Sequence, residues 1–314
     1  MISVIMLAHN RADFMCFSIE SILKQTYSEF ELIIIDNNST DSTADILASY
    51  RQKDNRIRTL KRQDGNIGAG RNLGLDNAKG EFFTFFDDDD YCEPDYLEFL
   101  HKLAVIHDAD IAVCGSSYDI NGEIKPKYVF DELVLCDRHQ AVENFLLRKY
   151  FNSGNPTKLF RRTQEISNIR YSENGKYDDI HTMYKFFAAA GQQPFAVAAR
   201  GEAKYVFRRH GANNSTATLN FEKLTPEWLN EYLAAYLERT EYISEKLPAL
   251  SKLARWSKWS YMISMVEKIN RFALSDCSVQ LEYMIAQLLP NKDEFVSAKW
   301  TRDFEKEWIK EYVK

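Results

Sequence analysis

Four consecutive aspartates, Asp87-Asp88-Asp89-Asp90, follow the apolar run Phe82-Phe83-Thr84-Phe85-Phe86. Such a run reads as a buried strand, which places the carboxylates where that strand leaves its sheet. Crowded carboxylates raise one another's pKa unless a cation neutralises them. Oxygen donors without nearby Cys or His favour a hard divalent ion, Mg²⁺ or Mn²⁺, shared with a substrate phosphate. The competing reading is a solvated acidic loop leading into a helix opened by Pro94. Two earlier apolar runs also end in polar groups, one at His9-Asn10 and one at Asp36-Asn37-Asn38-Ser39. Ligands of open α/β sheets bind at the carboxyl ends of strands, so the three ends together suit a nucleotide-sized crevice. Taken singly, residues such as Asn10 and Asp36 are more often turn or cap residues.

The elements that must hold these residues alternate. Strands are predicted over residues 2–8, 30–36, 57–60, 82–86 and 111–114. Helices are expected between them, with Asp13 capping the first, Ser39 or Thr40 the second, and further ones over 69–78 and 94–106. This alternation implies parallel βαβ units with helices on both faces of the sheet. After Ser116 the pattern changes. Asn121-Gly122 between short β-prone stretches signals a hairpin, 137–149 and 179–190 read as helices, and 157–160 and 205–207 as strands. From Phe221 onward strand signals vanish and helical spacing runs to Lys314. The expected organisation is an α/β domain over 1–215, divisible into 1–116 and 117–215, and a helical region over 216–314.

The segment Gly68-Ala69-Gly70-Arg71-Asn72-Leu73-Gly74 approaches a dinucleotide-binding fingerprint. That motif requires a buried strand directly before the glycines, whereas the preceding residues here are polar. The segment reads instead as a loop-to-helix entry presenting Arg71 and Asn72 to the crevice. A net charge of −6 over 314 residues argues against general nucleic-acid binding. The cysteines, Cys16, Cys92, Cys114, Cys136 and Cys277, are scattered and form no CxxC pair. That suits a reducing compartment rather than a disulfide framework or a zinc site. The first residues read as strand without a charged leader, and no apolar run reaches the ~18 residues of a membrane span. The expectation is a cytoplasmic protein.

The ordered motifs carry a resemblance. Ser3-Val4-Ile5-Met6-Leu7-Ala8-His9-Asn10, Ser21-Ile22-Leu23-Lys24-Gln25-Thr26-Tyr27 and Glu31-Leu32-Ile33-Ile34-Ile35-Asp36-Asn37-Asn38-Ser39-Thr40-Asp41 resemble family 2 glycosyltransferases. Gly70-Arg71-Asn72-Leu73-Gly74 and Phe86-Asp87-Asp88-Asp89-Asp90-Tyr91-Cys92-Glu93-Pro94 continue the match in order. The resemblance implies a GT-A fold, a doubly wound and mostly parallel sheet followed by helices. It also implies a nucleotide-sugar donor, Mn²⁺ or Mg²⁺, and inversion at the anomeric carbon. Asp87 and Asp89 match the ends of the family's DxD motif, with Asp89 the principal metal ligand and Asp87 reaching the ribose or the metal through water. Asp88, between them, is counted with the nucleotide-sugar-binding residues but is expected to matter less. Asp36 and Asn37 match the pair that reads the base, and Ala8, Asn10 and Arg71 line the nucleotide pocket. Many uridine-binding relatives carry a second aspartate where this chain has Asn37. An amide still pairs with uracil or thymine.

Tyr177-Asp178-Asp179-Ile180-His181 resembles the family's Glu-Asp at a helix start, with Asp in place of Glu. By that likeness Asp179 takes the proton of the acceptor hydroxyl and Asp178 holds the pocket or the acceptor. The alternative is that both aspartates complement the positive end of the next helix. In Phe207-Arg208-Arg209-His210, His210 is implied as a third metal ligand and Arg208 or Arg209 as a neutraliser of phosphate.

In the helical region, Lys252, Arg255 and Lys258 interleave with Trp256, Trp259 and Tyr261. Such a pattern suits either a membrane interface or a helix packed on protein, including another copy of the chain. The reading as a whole is an inverting, metal-dependent glycosyltransferase acting on a glycan or lipid-linked acceptor in bacterial surface-polysaccharide assembly, a UDP-sugar being the expected donor. A nucleotidyltransferase of the same fold and a module that binds sugar or nucleotide without catalysis are the rivals.

Overall fold

The computed structural model describes residues 1–63, 65–173, 177–210 and 221–314. By its internal contacts the chain divides into two compact units, Met1–His210 and Gly211–Lys314. The boundary expected at residue 215 lies outside the described residues.

In the first unit β1 (Ile2–Ala8), β2 (Phe30–Asn37), β3 (Ile57–Arg62) and β4 (Phe82–Asp87) run parallel in the order β3-β2-β1-β4. Beyond β4 the sheet continues through β9 (Lys158–Arg161), β6 (Ala109–Ile120), β10 (Phe195–Arg209) and the short β5 (Tyr91–Cys92). β7 (Glu123–Tyr128) pairs with β6, and β8 (Leu133–Cys136) with β10. β9 is antiparallel to both β4 and β6, while β6 and β10 are parallel. The sheet is therefore mixed beyond β4.

The central strands are apolar on both faces because both faces are covered. On one face Val4, Met6, Leu32 and Ile34 share a core with Met15 and Ile19 of α1 (Met15–Leu23) and Leu97 and Leu100 of α4 (Tyr96–Ile106). On the other, Ile5 and Ile35 meet Gly74 of α3 (Ile67–Asn77). Phe83 stacks on Phe160 with centroids 5.0 Å apart, and Phe160 lies 4.8 Å from Phe186 of α7 (Asp178–Ala189). Thr84, fully buried in β4, donates its hydroxyl to the Lys158 carbonyl at 2.7 Å and stays satisfied inside the sheet.

The glycines of the apparent fingerprint serve this packing. A β-carbon at Gly68 would overlap the Ser172 carbonyl oxygen, one at Gly70 would lie 2.9 Å from Leu7, and one at Gly74 would overlap Ile5. They bring α3 close to the sheet and to the segment before α7, with no strand feeding them directly.

Several local expectations change. Asp13 does not cap α1, whose N-cap is Phe14 without a side-chain bond. The second helix, α2 (Thr43–Lys53), starts after Ser39 and Thr40, which engage the loop at Asn10 instead. The hairpin turn is as expected, with Asn121 and Gly122 both at positive φ, 55° and 88°. Between β8 and β9, α5 (Arg138–Leu146) is opened by Asp137 in a capping box with Gln140, and the short α6 (Gln164–Ser167) follows β9. β8 and the first half of β10 were not anticipated, since Phe195-Ala196-Val197-Ala198-Ala199 is dominated by small residues of weak strand propensity.

The second unit contains helices Pro226–Lys246, Ser251–Arg271, Ser278–Leu288 and Asp303–Tyr312. Trp256, Trp259 and Tyr261 are buried within it. Trp256 donates its indole N–H to the Thr301 hydroxyl at 2.8 Å, and Tyr261 stacks on Tyr236 at 4.1 Å. Arg255 pairs with Glu294 at 2.7 Å. The interleaved basic and aromatic pattern is thus a packed helix, and these aromatic rings supply no membrane-inserting face. Among the described residues no helix is long and apolar enough to cross a membrane.

The α3–sheet contact leaves no room for a methyl at position 74. We expect Gly74→Ala to destabilise the fold by about 1–3 kcal/mol through overpacking, read as a lower urea midpoint with an unchanged slope. An unshifted midpoint would show that Ile5 yields freely.

Candidate active site

Strand register brings the polar ends together. Ala8 pairs with Asp36 and Leu7 with Asp87, so β1, β2 and β4 end at one level of the sheet. Asn10 and Asn38 take left-handed conformations, φ 52° and 69°, and turn their loops tightly. Asn10 ties the two loops together: its N–H donates to Ser39 Oγ at 3.1 Å, and its Oδ1 accepts from the Thr40 N–H at 2.8 Å. Asp36 Oδ1 accepts from the Ser39 N–H at 2.9 Å, and Asn37 Nδ2 donates to the Asn66 carbonyl at 3.1 Å. Asp36 Oδ2 and Asn37 Oδ1 are buried and have no donor among the described residues. Orphaned buried acceptors are costly, and the end of β2 carries two of them.

The aspartate tetrad is not a uniform patch. Asp88 is turned inward, accepting from the His9 N–H at 3.3 Å and from Arg11 Nε at 3.3 Å. Asp90 accepts from the Tyr205 hydroxyl and the Arg208 N–H, both at 2.8 Å. These two carboxylates fasten the loop to β1, β10 and their connections. Asp89 lies 3.1 Å from His210 Nε2 and 3.9 Å from Arg11. His210 stacks on Phe14, centroids 4.0 Å apart. Burial first, and repulsion from Asp89 second, pushes the Asp88 carboxyl well above its ordinary value. Burial likewise raises Asp90 well above its ordinary value. Asp87 is pushed up to about 6 by burial, against the lowering effect of Arg71. The crowding anticipated from sequence is real, but desolvation exceeds it.

Arg71, near the start of α3, is buried between two carboxylates. Its Nε donates to Asp178 Oδ2 at 2.5 Å, and its Nη2 lies 4.0 Å from Asp87. The guanidinium is 5.2 Å from the Phe85 ring and 5.6 Å from that of Tyr171. Burial opposes its charge, but Asp178 more than compensates and holds the guanidinium above its usual range. Asp179, next along α7, accepts from the Ile180 N–H at 2.8 Å and, among the described residues, from no side chain. Burial, followed by repulsion from Asp178, pushes its carboxyl up to about 7. A carboxylate poised near neutral pH is suited to moving a proton. The two aspartates thus differ: Asp178 is an ion-pair partner, and Asp179 forms no ion pair among the described residues.

Arg208 packs its guanidinium over Phe17 at 4.9 Å and Phe14 at 5.7 Å, with Nη1 buried and lacking an acceptor among the described residues. Reasoning from sequence missed Arg11, which spans Asp88 and Asp89, and Tyr205, which reads only as a strand residue. It also missed Lys158, fully buried in β9, whose ammonium donates to the Gly154 carbonyl at 2.6 Å and is driven down to about 7 by burial. A Lys inside the run Thr-Lys-Leu-Phe was the available signal, since a strand between two others has no solvent to receive it.

Comparison with known proteins fits this geometry. Residues 3–189 match the family described as Glycosyl transferase family 2. Glycosyltransferase GlyG of Streptococcus pneumoniae is 28% identical over 222 residues, covering 68% of this chain and 72% of that protein. Poly(ribitol-phosphate) beta-N-acetylglucosaminyltransferase TarS of Staphylococcus aureus is 30% identical over 227 residues, covering 70% of this chain and 38% of TarS. The chain spans less than two thirds of several such relatives. The crystal structure of S. aureus TarS 1-349 in complex with UDP-GlcNAc superposes with a TM-score of 0.62 at 19% identity, covering 99% of this chain and 91% of that one. The chain therefore belongs to the family 2 glycosyltransferases, and its fold is GT-A followed by a helical region.

The raised pKa of Asp179 has a sign that can be measured. The folded state holds this proton more tightly than the unfolded chain, so the carboxyl's contribution is fully present below its unfolded pKa. It is lost as pH rises through about 7. At pH 8 the buried charge works against folding. We expect Asp179→Asn to raise the melting temperature at pH 8 and to change it little at low pH. A lower melting temperature at pH 8 would mean that the carboxylate is held by a favourable partner instead.

Proposed function

We propose that the chain transfers a sugar from a uridine diphosphate donor to a hydroxyl of a glycan or lipid-linked acceptor, with inversion, in bacterial surface-polysaccharide assembly. The observation that carries this reading is the half-buried Asp179 carboxyl, near neutral pKa, beside an ion-paired Arg71–Asp178 and within the electrostatic reach of Asp87. One carboxylate is available as base while its neighbour is committed to structure.

In this reading Asp36 Oδ2 or Asn37 Oδ1 accepts the ring N–H of the base. Uracil and thymine offer that donor at N3 and guanine at N1, so the orphaned acceptors alone do not choose. The UDP-GlcNAc bound by the TarS relative supports uridine. Ala8 walls the pocket beside them, and Asn10 shapes it by holding the two loops. Arg208, its buried Nη1 lacking an acceptor, supplies a cation for the diphosphate.

Among the described residues no three Asp, Glu, His or Cys side chains converge as a ready-made metal cage. The donor set nonetheless fits Mn²⁺ or Mg²⁺, ions that use few protein ligands and complete their shell with substrate phosphate and water. Asp89, Asp87 and His210 would hold it. Asp87, raised to about 6, and Asp89, 3.1 Å from His210, offer donor atoms at the edge where β4 ends. When bound, the ion stabilises the charge on the departing diphosphate.

The chemistry asked of the side chains is modest. The acceptor oxygen attacks the anomeric carbon from the face opposite the diphosphate, the carbon–oxygen bond to the diphosphate breaks, and its electron pair leaves with UDP. Asp179 takes the hydroxyl proton. Arg71 fixes Asp178, which keeps the start of α7 against the end of β4 and so aims Asp179.

Three measurements test this. Asp89→Asn should abolish Mn²⁺-dependent binding of UDP-sugar in calorimetry while the protein stays folded, and undiminished affinity would remove Asp89 from the metal site. Asp179→Asn should lower single-turnover transfer by roughly 10²–10⁴-fold, about 3–5 kcal/mol of barrier, with donor affinity retained. The wild-type rate should rise with pH through about 7 as Asp179 loses its proton. A flat profile between pH 6 and pH 8, with chemistry rate-limiting, would move the base elsewhere.

A further inference from the structure

The β6–β7 hairpin is irregular at one point. Ser117 pairs with Pro126 and Ser116 with Tyr128, leaving Lys127 as an extra residue in the ladder, a β-bulge. Bulges re-aim the side chain they carry. Here the Lys127 ammonium lies 3.5 Å from the centroid of Phe207 and 4.9 Å from that of Tyr118. The Arg209 guanidinium lies 4.3 Å from the same Tyr118 ring. Successive side chains of a strand face opposite sides, so Phe207 and Arg209 share one face of β10. Arg208 takes the other, where it packs on Phe14 and Phe17. Two cations are thereby gathered around a pair of aromatic rings, apart from the arginine assigned to the donor diphosphate.

Lys127 is half-buried and makes no hydrogen bond and no ion pair among the described residues. Its ammonium is driven down to about 8 by burial and by Arg209, and is drawn back up by Asp90, Asp87 and Asp179. It therefore remains largely charged at neutral pH. A cation in this position, supported by ring faces and repelled by its neighbour, has no directly bonded anion among the described residues. Its field reaches Asp179, the residue that would meet the acceptor hydroxyl.

We propose that Lys127, with Arg209, binds a phosphate group of the acceptor and so determines which acceptors this enzyme uses. The proposal rests on the reading of Asp179 as the base, because that residue fixes the acceptor side of the site. The donor's own diphosphate has the same chemistry, and the experiment must separate the two sources.

Glycerol 3-phosphate serves as the probe, titrated calorimetrically into the full chain with Mn²⁺ and saturating UDP, with glycerol as the neutral control. We expect the wild type to bind glycerol 3-phosphate and not glycerol. Lys127→Gln should weaken the probe about 10- to 100-fold, the worth of one charge-assisted hydrogen bond. Lys127→Arg should restore most of the affinity, which also guards against a folding defect in the first variant. UDP affinity should be the same in all three proteins. Equal probe affinity in wild type and Lys127→Gln overturns the proposal, as does a wild type that ignores the probe. A parallel loss of UDP affinity in Lys127→Gln assigns Lys127 to the donor instead and equally overturns it. If UDP itself fails to bind the wild type, the uridine-donor reading falls, while the probe titration without UDP still judges Lys127.

Discussion

The buried ion pair of Arg71 and Asp178 is the contact on which the site depends. It joins the start of α3 to the start of α7, and through Asp87 it reaches the end of β4. Phe85 and Tyr171 flank the guanidinium and exclude water from it. Breaking a pair like this strands an uncompensated charge in a poorly solvated place, which costs far more than an exposed pair contributes. The ion pair thus fixes where α7 begins. The aromatic stack of Phe83, Phe160 and Phe186 fixes how the same helix lies on the sheet. Together they set the position of Asp179, which forms no side-chain hydrogen bond among the described residues.

The remaining carboxylates divide by a similar rule. Asp88 and Asp90 each meet a backbone N–H and a side-chain donor, and so shape the loop after β4. Asp87 lies 4.0 Å from Arg71, and Asp89 meets His210 and Arg11. Holding so many acids at one sheet edge is unfavourable for folding, as the raised values at Asp87, Asp88, Asp90 and Asp179 indicate. Functional sites commonly carry such strain, relieved when a cation or a proton arrives. The orphaned oxygens of Asp36 and Asn37 belong to the same pattern at the opposite side of the crevice.

The second half of the first unit is built by less regular means. β9 enters antiparallel between β4 and β6, and it carries the buried Lys158 into the interior. The hairpin after β6 owes its turn to Asn121-Gly122 and the direction of Lys127 to the bulge there. A regular hairpin would alternate its side chains strictly. The extra residue breaks that alternation and turns an edge-strand lysine toward Phe207.

Much of this was legible in the sequence because short-range rules govern it. The apolar runs of β1, β2 and β4, the polar residues at their ends, and the Asn-Gly turn follow from periodicity and from turn chemistry. The family motifs located Arg71, Asp87, Asp89, Asp178, Asp179 and His210, and the structure brings them to one edge. What each aspartate touches was not legible. The resemblance set Asp87 and Asp89 apart, but Arg11 and Tyr205, the partners of Asp88 and Asp90, lie far off in the chain and reach them only in the folded structure. The glycines of α3 resembled a phosphate loop until their neighbours, Ser172, Leu7 and Ile5, showed a packing role. The tryptophans near Lys258 suited a membrane until they were found buried in their own unit. Local propensity is written in neighbouring residues, so the sequence determined the elements and the kinds of chemistry at their ends. Burial, charge pairing and the aim of Lys127 depend on residues tens of positions apart, and only the tertiary structure decided them.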